Sequence, residues 1–99
     1  MADCFLMTYL PPRETFPADA TPEEAAAVEA HFEYLKTLYA EGVVLMVGRR
    51  SDARFGLAVL ATDDPKRART IASQDPAVDA GVFSVDLAEF RLALFPARE

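Results

Sequence analysis

The stretch TPEEAAAVEAHFEYLKTLYAEGVVLMVGRRSDARFGLAVLA, residues 21–61, predicts one helix followed by two strands, and this order decides the fold. Thr21 is placed to cap the helix, with Pro22 at its first position and Glu24 completing a capping box. Gly42 provides the glycine at which helices commonly end. At about 100° per residue, the apolar residues of the helix form a stripe that should pack on a sheet. The stripe consists of Val28, Phe32, Leu35 and Tyr39, with Leu38 beside it.

Strands are predicted on both sides of this helix. Residues 43–47 (VVLMV) and 55–61 (FGLAVLA) contain the β-branched and other apolar residues that are typical of strands. The polar stretch 48–52 between them predicts a hairpin turn. Before the helix, residues 4–10 (CFLMTYL) are apolar at nearly every position and stop at Pro11, which favours a strand buried on both faces.

A second helix and a fourth strand complete the chain. Asp63 or Asp64 is placed to cap the helix, because Pro65 follows at its first position. We expect the helix to end at Asp75-Pro76, and the alternating stretch 82–87 predicts the last strand. The predicted inward face of the helix is Ala68, Ile71 and Ala72, and the apolar tail after the strand is Phe90, Leu92, Leu94 and Phe95.

The element order β-α-β-β-α-β is that of the ferredoxin-like fold of the α+β class, an antiparallel sheet with both helices on one face. Strands 4–10, 43–47 and 55–61 are apolar on both sides, so the face without helices needs a cover. Two-fold self-association is the commonest cover among soluble proteins. We therefore predict a homodimer that joins two open sheet faces and closes a dimeric α/β barrel.

Length and composition exclude several classes of protein. The 99 residues are expected to form a single domain, 1–99, because two cores would each be too small to be stable. A net charge of −6 disfavours nucleic acid and anionic membranes as partners. No stretch approaches the ~20 apolar residues of a membrane span and no basic leader opens the chain, so we expect a cytoplasmic protein. Cys4 should be a buried, reduced thiol.

Three short motifs lie in order along the predicted elements. Residues 72–83 (ASQDPAVDAGVF) put an Asp-Pro after the second helix and an Ala-Gly before the last strand. Residues 31–35 (HFEYL) form a His-x-x-x-Leu motif, and Gly48 ends the second strand. Together they resemble the YCII-related family, a group of small dimeric α/β-barrel proteins, over nearly the whole chain. The family has Gly-Pro where this chain has Gly48 followed by Arg49.

The resemblance implies a site as well as a fold. A histidine and an aspartate have been proposed as a catalytic pair in this family, and they correspond here to His31 and Asp75. The enzymatic precedent that the resemblance offers is a dehydrochlorination. Most members of the family have no established activity, so the resemblance indicates the pair and leaves the reaction open.

The predicted positions of the pair favour acid/base chemistry. His31 is the only histidine and lies about 60° from the centre of the apolar stripe, which predicts half burial at a sheet margin. An imidazole oriented by a carboxylate has a fixed tautomer, as a general acid or base near neutral pH requires. We place Asp75 in the last turn of the second helix, where it opposes the dipole unless an imidazolium compensates it. The alternative is structural, because Asp before Pro commonly initiates a turn and a histidine on a helix flank commonly packs.

The sequence defines other binding residues less sharply. Arg13, Arg49 and Arg50 are candidates for binding an anion at the mouth of a pocket, or are solvated loop residues. Tyr9 is a candidate for binding substrate or for packing, and so is Tyr34. One histidine without a cysteine pair offers too few ligands for a metal, and we expect neither a metal nor another cofactor.

Two functions from different classes stay open at this point. The first is a cofactor-independent enzyme that uses His31 as acid/base and Asp75 as its orienting partner, for proton transfer or elimination on a small aromatic or polar substrate. The second is a non-catalytic dimeric module that binds a small metabolite or serves as a structural partner.

Overall fold

The computed structural model describes residues 2–95, which form four strands and three helices. In chain order these elements are β1 (Ala2–Leu10), α1 (Pro22–Ala40), β2 (Val44–Arg49), β3 (Gly56–Leu60), α2 (Pro65–Ser73), α3 (Pro76–Asp79) and β4 (Ser84–Leu92). The strands form one antiparallel sheet in the order β2-β3-β1-β4. This order, with β1 and β3 at the centre, confirms the predicted ferredoxin-like α+β fold. The single-domain prediction includes residues 1 and 96–99, which lie outside the described residues.

Helix α1 begins and ends where the sequence predicts. Thr21 Oγ1 accepts a hydrogen bond from the backbone N–H of Glu24 at 3.1 Å, and Glu24 Oε1 accepts one from the backbone N–H of Thr21 at 2.9 Å. Gly42 follows the helix at a φ of +79°, a left-handed conformation that residues with a Cβ disfavour. The predicted capping box and glycine stop are therefore confirmed, and they fix the helix that carries His31.

The face of α1 that packs on the sheet differs from the predicted stripe. Leu35 is buried, but Phe32 and Tyr39 are 53% and 50% exposed. Tyr34 and Leu38 pack against the core instead, which turns the buried face by about 70° at 100° per residue. Phe32 borders an open cavity and so is only partly covered. His31 accordingly lies on the inward face of α1 rather than at its edge.

The core lies between the sheet and the helices α1 and α2. Alternate residues of β1 point to this side, and Met7 has no exposed surface. Helix α2 begins at the predicted Pro65, and its cap is Asp64, whose side chain accepts from the backbone N–H of Lys66. The predicted inward face of α2 is confirmed, since all three of its residues belong to this core. The core residues are Phe5, Met7, Tyr9, Leu35, Val44, Ala58, Leu60, Ala68, Ile71 and Ala72.

The segment after α2 differs from the prediction. Helix α2 ends at Ser73, and Asp75 is the N-cap of the separate short helix α3, where its side chain accepts from the backbone N–H of Ala77 at 2.9 Å. The predicted place of Asp75 in the last turn of α2 is therefore wrong. Pro76 is the physical reason, because it lacks an N–H and forces the preceding residue into extended backbone. Asp75 thus stands at a helix start, where a negative charge is favoured.

Strand β4 is longer than the predicted stretch 82–87. It begins at Ser84 and runs to Leu92, so it takes up Phe90 and Leu92 of the predicted tail. The cause is its partner, because β4 pairs with β1 over the whole length of β1, from Leu10 opposite Ser84 to Ala2 opposite Leu92.

The face of the sheet opposite α1 and α2 carries apolar side chains. Because β1 alternates, the neighbours of its core residues, Leu6 and Leu10 among them, point to this open face. Met46 lies opposite Val59 on the same face and is 45% exposed. In the part of the chain that the structure describes, no helix is both long and apolar enough to cross a bilayer. The cytoplasmic location stays a prediction.

Replacing Thr21 with alanine removes the side-chain acceptor at the start of α1 and should lower the free energy of unfolding by about 1 kcal/mol. Urea denaturation followed by circular dichroism measures the change. Thr37→Ala is the matched control, because the Thr37 hydroxyl bonds only the Glu33 carbonyl one turn earlier. Alanine favours the helix at this exposed position, so stability should be unchanged or slightly higher. Equal losses in both variants would contradict the role of the cap.

Candidate active site

A cavity of about 530 Å³ lies between α1, the β2–β3 hairpin and the loop 11–20. Its walls are mainly apolar, and two side chains with ionisable nitrogen, His31 and Arg49, stand among them. The volume falls within the range of about 300–1,000 Å³ that is usual for small-molecule sites. The aromatic side chains in the walls are Tyr9, Phe16, Phe32, Phe55 and Phe83.

The ring of His31 is held at the wall of this cavity by three side chains. Its Nδ1 is 2.7 Å from Oδ2 of Asp75, so the structure brings the two residues of the predicted pair together. The ring meets those of Tyr9 and Phe83 edge to face, with centroids 4.8 and 5.1 Å apart. No group within residues 2–95 hydrogen-bonds Nε2. The second nitrogen is therefore available to a molecule in the cavity.

Asp75 is a buried side chain with three hydrogen-bond partners. Its exposed fraction is 0%, and among the described residues Asp75 is the polar or charged residue that is buried. Oδ2 accepts from Tyr9 Oη at 3.0 Å as well as facing His31, and Oδ1 accepts from the backbone N–H of Ala77. A buried carboxylate needs such donors, because each lost donor leaves desolvated charge without compensation. The donors come from β1, α1 and α3.

Tyr9 contributes both its ring and its hydroxyl to the site. Its ring lines the cavity, but its hydroxyl is directed to Asp75. Burial raises the pKa of the Tyr9 phenol, and the nearby negative charge of Asp75 raises it further. The phenol therefore stays protonated and donates to the carboxylate instead of to a substrate.

Arg13 does not line the cavity, contrary to its predicted role in substrate binding. Its guanidinium donates two hydrogen bonds to Glu24, at 2.7 and 2.8 Å, and three to Asp19, two to the carboxylate and one to the backbone carbonyl. The two bonds to Glu24 lower the pKa of that carboxyl group to about 2, helped by the backbone N–H of Thr21. Arg13 thus ties the loop 11–20, which supplies Phe16 to the cavity, to the start of α1.

The remaining candidates separate into one cavity residue and two structural residues. Arg49 lines the cavity at the end of β2. Arg50 next to it pairs with Asp52 at 3.0 Å and lies over the ring of Phe55. Tyr34 packs, and its hydroxyl donates to the backbone carbonyl of Ile71 at 2.7 Å.

Sequence reasoning missed Phe83 and Phe16, which form two of the aromatic walls. Phe83 follows Gly81 before β4 and faces both His31 and Phe16, an arrangement that only the fold produces. The contact of Tyr9 with Asp75 had a signal, because Tyr9 shares the alternation of Phe5 and Met7 and so belongs to the inward face. Among the described residues, no group of three or more His, Cys, Asp or Glu side chains could hold a metal ion.

Comparison with known proteins places the chain among relatives. The profile of the YCII-related domain matches residues 4–91. "Uncharacterized protein YjpA" of Bacillus subtilis (strain 168) is 35% identical over 65 residues, which are 66% of this chain and 76% of that protein. The 5-chloro-2-hydroxyhydroquinone dehydrochlorinase (TftG) from Burkholderia phenoliruptrix AC1100, solved in complex with 2,5-dihydroxybenzoquinone, superposes with a TM-score of 0.63. It is 16% identical, with 88% of this chain and 93% of that chain covered, and this likeness shows the fold alone.

Replacing Tyr9 with phenylalanine removes one donor from the buried carboxylate and should cost about 1.5–3 kcal/mol of unfolding free energy at pH 7. The difference from wild type should shrink above about pH 10, where an unfolded tyrosine ionises. Above this pH, Tyr9 of the unfolded wild type releases a proton that Tyr9 of the folded protein retains. The free energy of unfolding of wild type therefore falls by up to about 1.4 kcal/mol per pH unit, whereas Tyr9→Phe lacks this loss.

Urea denaturation from pH 7 to 11 measures both effects. Tyr34→Phe is the comparison, because that hydroxyl bonds a neutral carbonyl and should cost only about 0.5–1.5 kcal/mol at pH 7. A gap between wild type and Tyr9→Phe that stays constant up to pH 11 would contradict the bond between Tyr9 and an ionised Asp75.

Proposed function

This chain belongs to the YCII-related family, and we propose that it is a cofactor-independent enzyme for proton transfer or elimination on a small, aromatic substrate. His31 acts as the acid/base, and Asp75 orients it. The observation that carries the proposal is the 2.7 Å contact between Nδ1 of His31 and the buried Asp75, with Nε2 unpartnered at the cavity.

The hydrogen bonds of Asp75 support one tautomer of His31. Tyr9 and Ala77 both donate to the carboxyl group, as they do to an ionised carboxylate that has only acceptors. With Asp75 ionised, Nδ1 of His31 carries a proton and donates as well. In the neutral ring this leaves the lone pair on Nε2, the nitrogen without a protein partner. A substrate in the cavity therefore meets a base.

The proposed reaction needs only this lone pair and the proton that it takes. In a proton transfer, Nε2 removes a proton from a carbon or oxygen of the substrate and returns it at another position. In an elimination, the electrons of the broken C–H or O–H bond form a new double bond and expel a leaving group such as chloride. Asp75 stabilises the imidazolium that forms in either case, as the acid partner of a catalytic histidine does.

Two further features support an aromatic substrate. The walls of the cavity contain five aromatic rings, which favour a flat ring through offset or edge-to-face packing. The dehydrochlorinase with this fold is named for a chlorinated hydroquinone, and so it offers elimination on a single ring as a precedent.

Replacing His31 with glutamine should lower the reaction rate at least ~100-fold, the usual share of a general acid/base. The fold should persist, because the glutamine amide can still donate to Asp75. Two probes cover the two reactions: chloride release from 5-chloro-2-hydroxyhydroquinone for elimination, and deuterium uptake at the ring carbons of 2,5-dihydroxybenzoquinone for proton transfer. If wild type accelerates neither probe, the chain is a non-catalytic binding module instead. If His31→Gln matches an active wild type, His31 is not the acid/base.

Asp75→Asn tests the orienting role and has a close control in Asp79→Asn, the same change at the exposed acid of α3. Asp75→Asn should lower both rates, whereas Asp79→Asn should leave them unchanged. The ¹⁵N chemical shifts of the imidazole give a readout that needs no substrate, since the protein has one histidine. Wild type should show the proton on Nδ1, and Asp75→Asn should lose that preference.

We also propose that the protein is a homodimer joined through the open face of the sheet. Leu10 and Met46 on this face are 47% and 45% exposed, and Leu6 and Phe90 are further partly exposed apolar residues of the same face. Soluble monomers rarely leave such a contiguous apolar surface in water. A second copy of the same face, related by a two-fold axis, would bury it.

Light scattering after size exclusion should give a mass of twice 10.9 kDa at micromolar concentration. Met46→Glu places a charge in the proposed interface and should shift the mass to that of one chain. Ala26→Glu places the same charge on the exposed side of α1 and should leave the dimer intact. A monomeric wild type would contradict the proposal.

A further inference from the structure

The cavity is electrostatically unlike the rest of the chain. The whole sequence has a net charge of −6. The walls of the cavity, as far as residues 2–95 form them, contain no Asp or Glu, and Arg49 supplies their permanent charge. An acidic protein thus has a cationic group beside an apolar cavity, which favours negatively charged ligands there.

Arg49 differs in its partners from Arg13 and Arg50, the two other arginines that the sequence offers as anion-binding candidates. Arg13 binds the carboxylates of Asp19 and Glu24, and Arg50 binds that of Asp52. Arg49 forms no ion pair and no side-chain hydrogen bond with any residue of the described chain. The guanidinium donors of Arg49 are therefore available to a ligand, whereas those of Arg13 and Arg50 already bind carboxylates.

The β2–β3 hairpin leaves room beside this guanidinium. Arg49 lies opposite Gly56 in the register of the two strands, and Gly56 has no side chain that could cover it. A Cβ at Gly56 would stand 3.3 Å from the Gly48 carbonyl oxygen, which is closer than is usual, and at an ordinary contact distance of 3.6 Å from Cβ of Arg49. Gly56 and Arg49 both line the cavity, so a side chain at position 56 would stand in contact with Arg49 there.

We propose that the cavity selects small organic anions, a single flat ring with a carboxylate or an ionised enol, whose charged group binds Arg49. The planar fork of the guanidinium fits two oxygens of such a group, and the aromatic walls cover the ring. His31 stands in the same cavity, so the anionic group fixes the ring while Nε2 reaches another position on it. The anion site stands on Arg49 and the cavity; only the role of His31 rests on the proposed function.

Benzoate and benzamide test the anion site, because they share size and ring and differ in charge. Binding is followed by ¹H–¹⁵N NMR titration of the full chain at constant ionic strength. Wild type should bind benzoate at least tenfold more tightly than benzamide. Arg49→Gln should lose at least tenfold in affinity for benzoate and stay within twofold for benzamide.

Arg50→Gln is the matched control. It removes the same charge from the next residue, and the side chain of Arg50 pairs with Asp52 and does not line the cavity. It should stay within threefold of wild type for benzoate. Equal binding of the two probes by wild type, no binding of benzoate, or equal losses in Arg49→Gln and Arg50→Gln would each overturn the proposal. Sulfate that displaces benzoate at equal concentration would reduce the site to one for any anion and overturn the selection for a ring.

The two proposals fail in different experiments. If Arg49→Gln binds benzoate as tightly as wild type does while His31→Gln is slow, the anion site is overturned and the proposed enzyme activity stands. A defect in Arg49→Gln together with full rates in His31→Gln overturns the acid/base role and leaves the anion site.

Discussion

The carboxylate of Asp75 has no exposed surface, and three separate elements supply the donors that make its burial possible. Removing a charge from water costs several kcal/mol unless hydrogen bonds replace the lost hydration. Tyr9 on β1, His31 on α1 and the backbone of α3 must therefore keep their relative positions for the fold to tolerate this group. The same requirement fixes the imidazole ring at the cavity, so the stability of the core and the geometry of the site depend on one interaction.

The sequence predicted what local chemistry determines. The capping box at Thr21, the stop at Gly42 and the cap of α2 at Asp64 with Pro65 each depend on neighbouring residues alone, and all three are present. The element order sufficed for the ferredoxin-like fold, and the family resemblance named His31 and Asp75 before any geometry was known. Their 2.7 Å contact joins residues 44 positions apart, a separation that no helical or strand period describes.

What the sequence missed depends on tertiary packing. The inward face of α1 is turned away from the apolar stripe, because Phe32 borders a cavity and does not enter the core. Arg13 resembled a ligand-binding residue until the fold brought Glu24 and Asp19 to its guanidinium. Asp75 was predicted at the end of α2 but caps the start of α3. Pro76 begins this new helix, which periodicity alone cannot separate from α2. In each case the surroundings of the side chain come from another element or from the far side of a helix boundary.

The crowding around Asp75 also divides the work between the two members of the pair. Both carboxylate oxygens already accept hydrogen bonds, and no surface of the residue reaches the cavity. A substrate therefore cannot exchange a proton with Asp75 directly, whatever it binds. Within the described chain, Nε2 of His31 faces no protein donor or acceptor. A proton exchanged between the pair and a molecule in the cavity would therefore pass through Nε2. In the proposed reaction, Asp75 therefore only orients the imidazole, and the walls of the cavity, Arg49 among them, select the substrate.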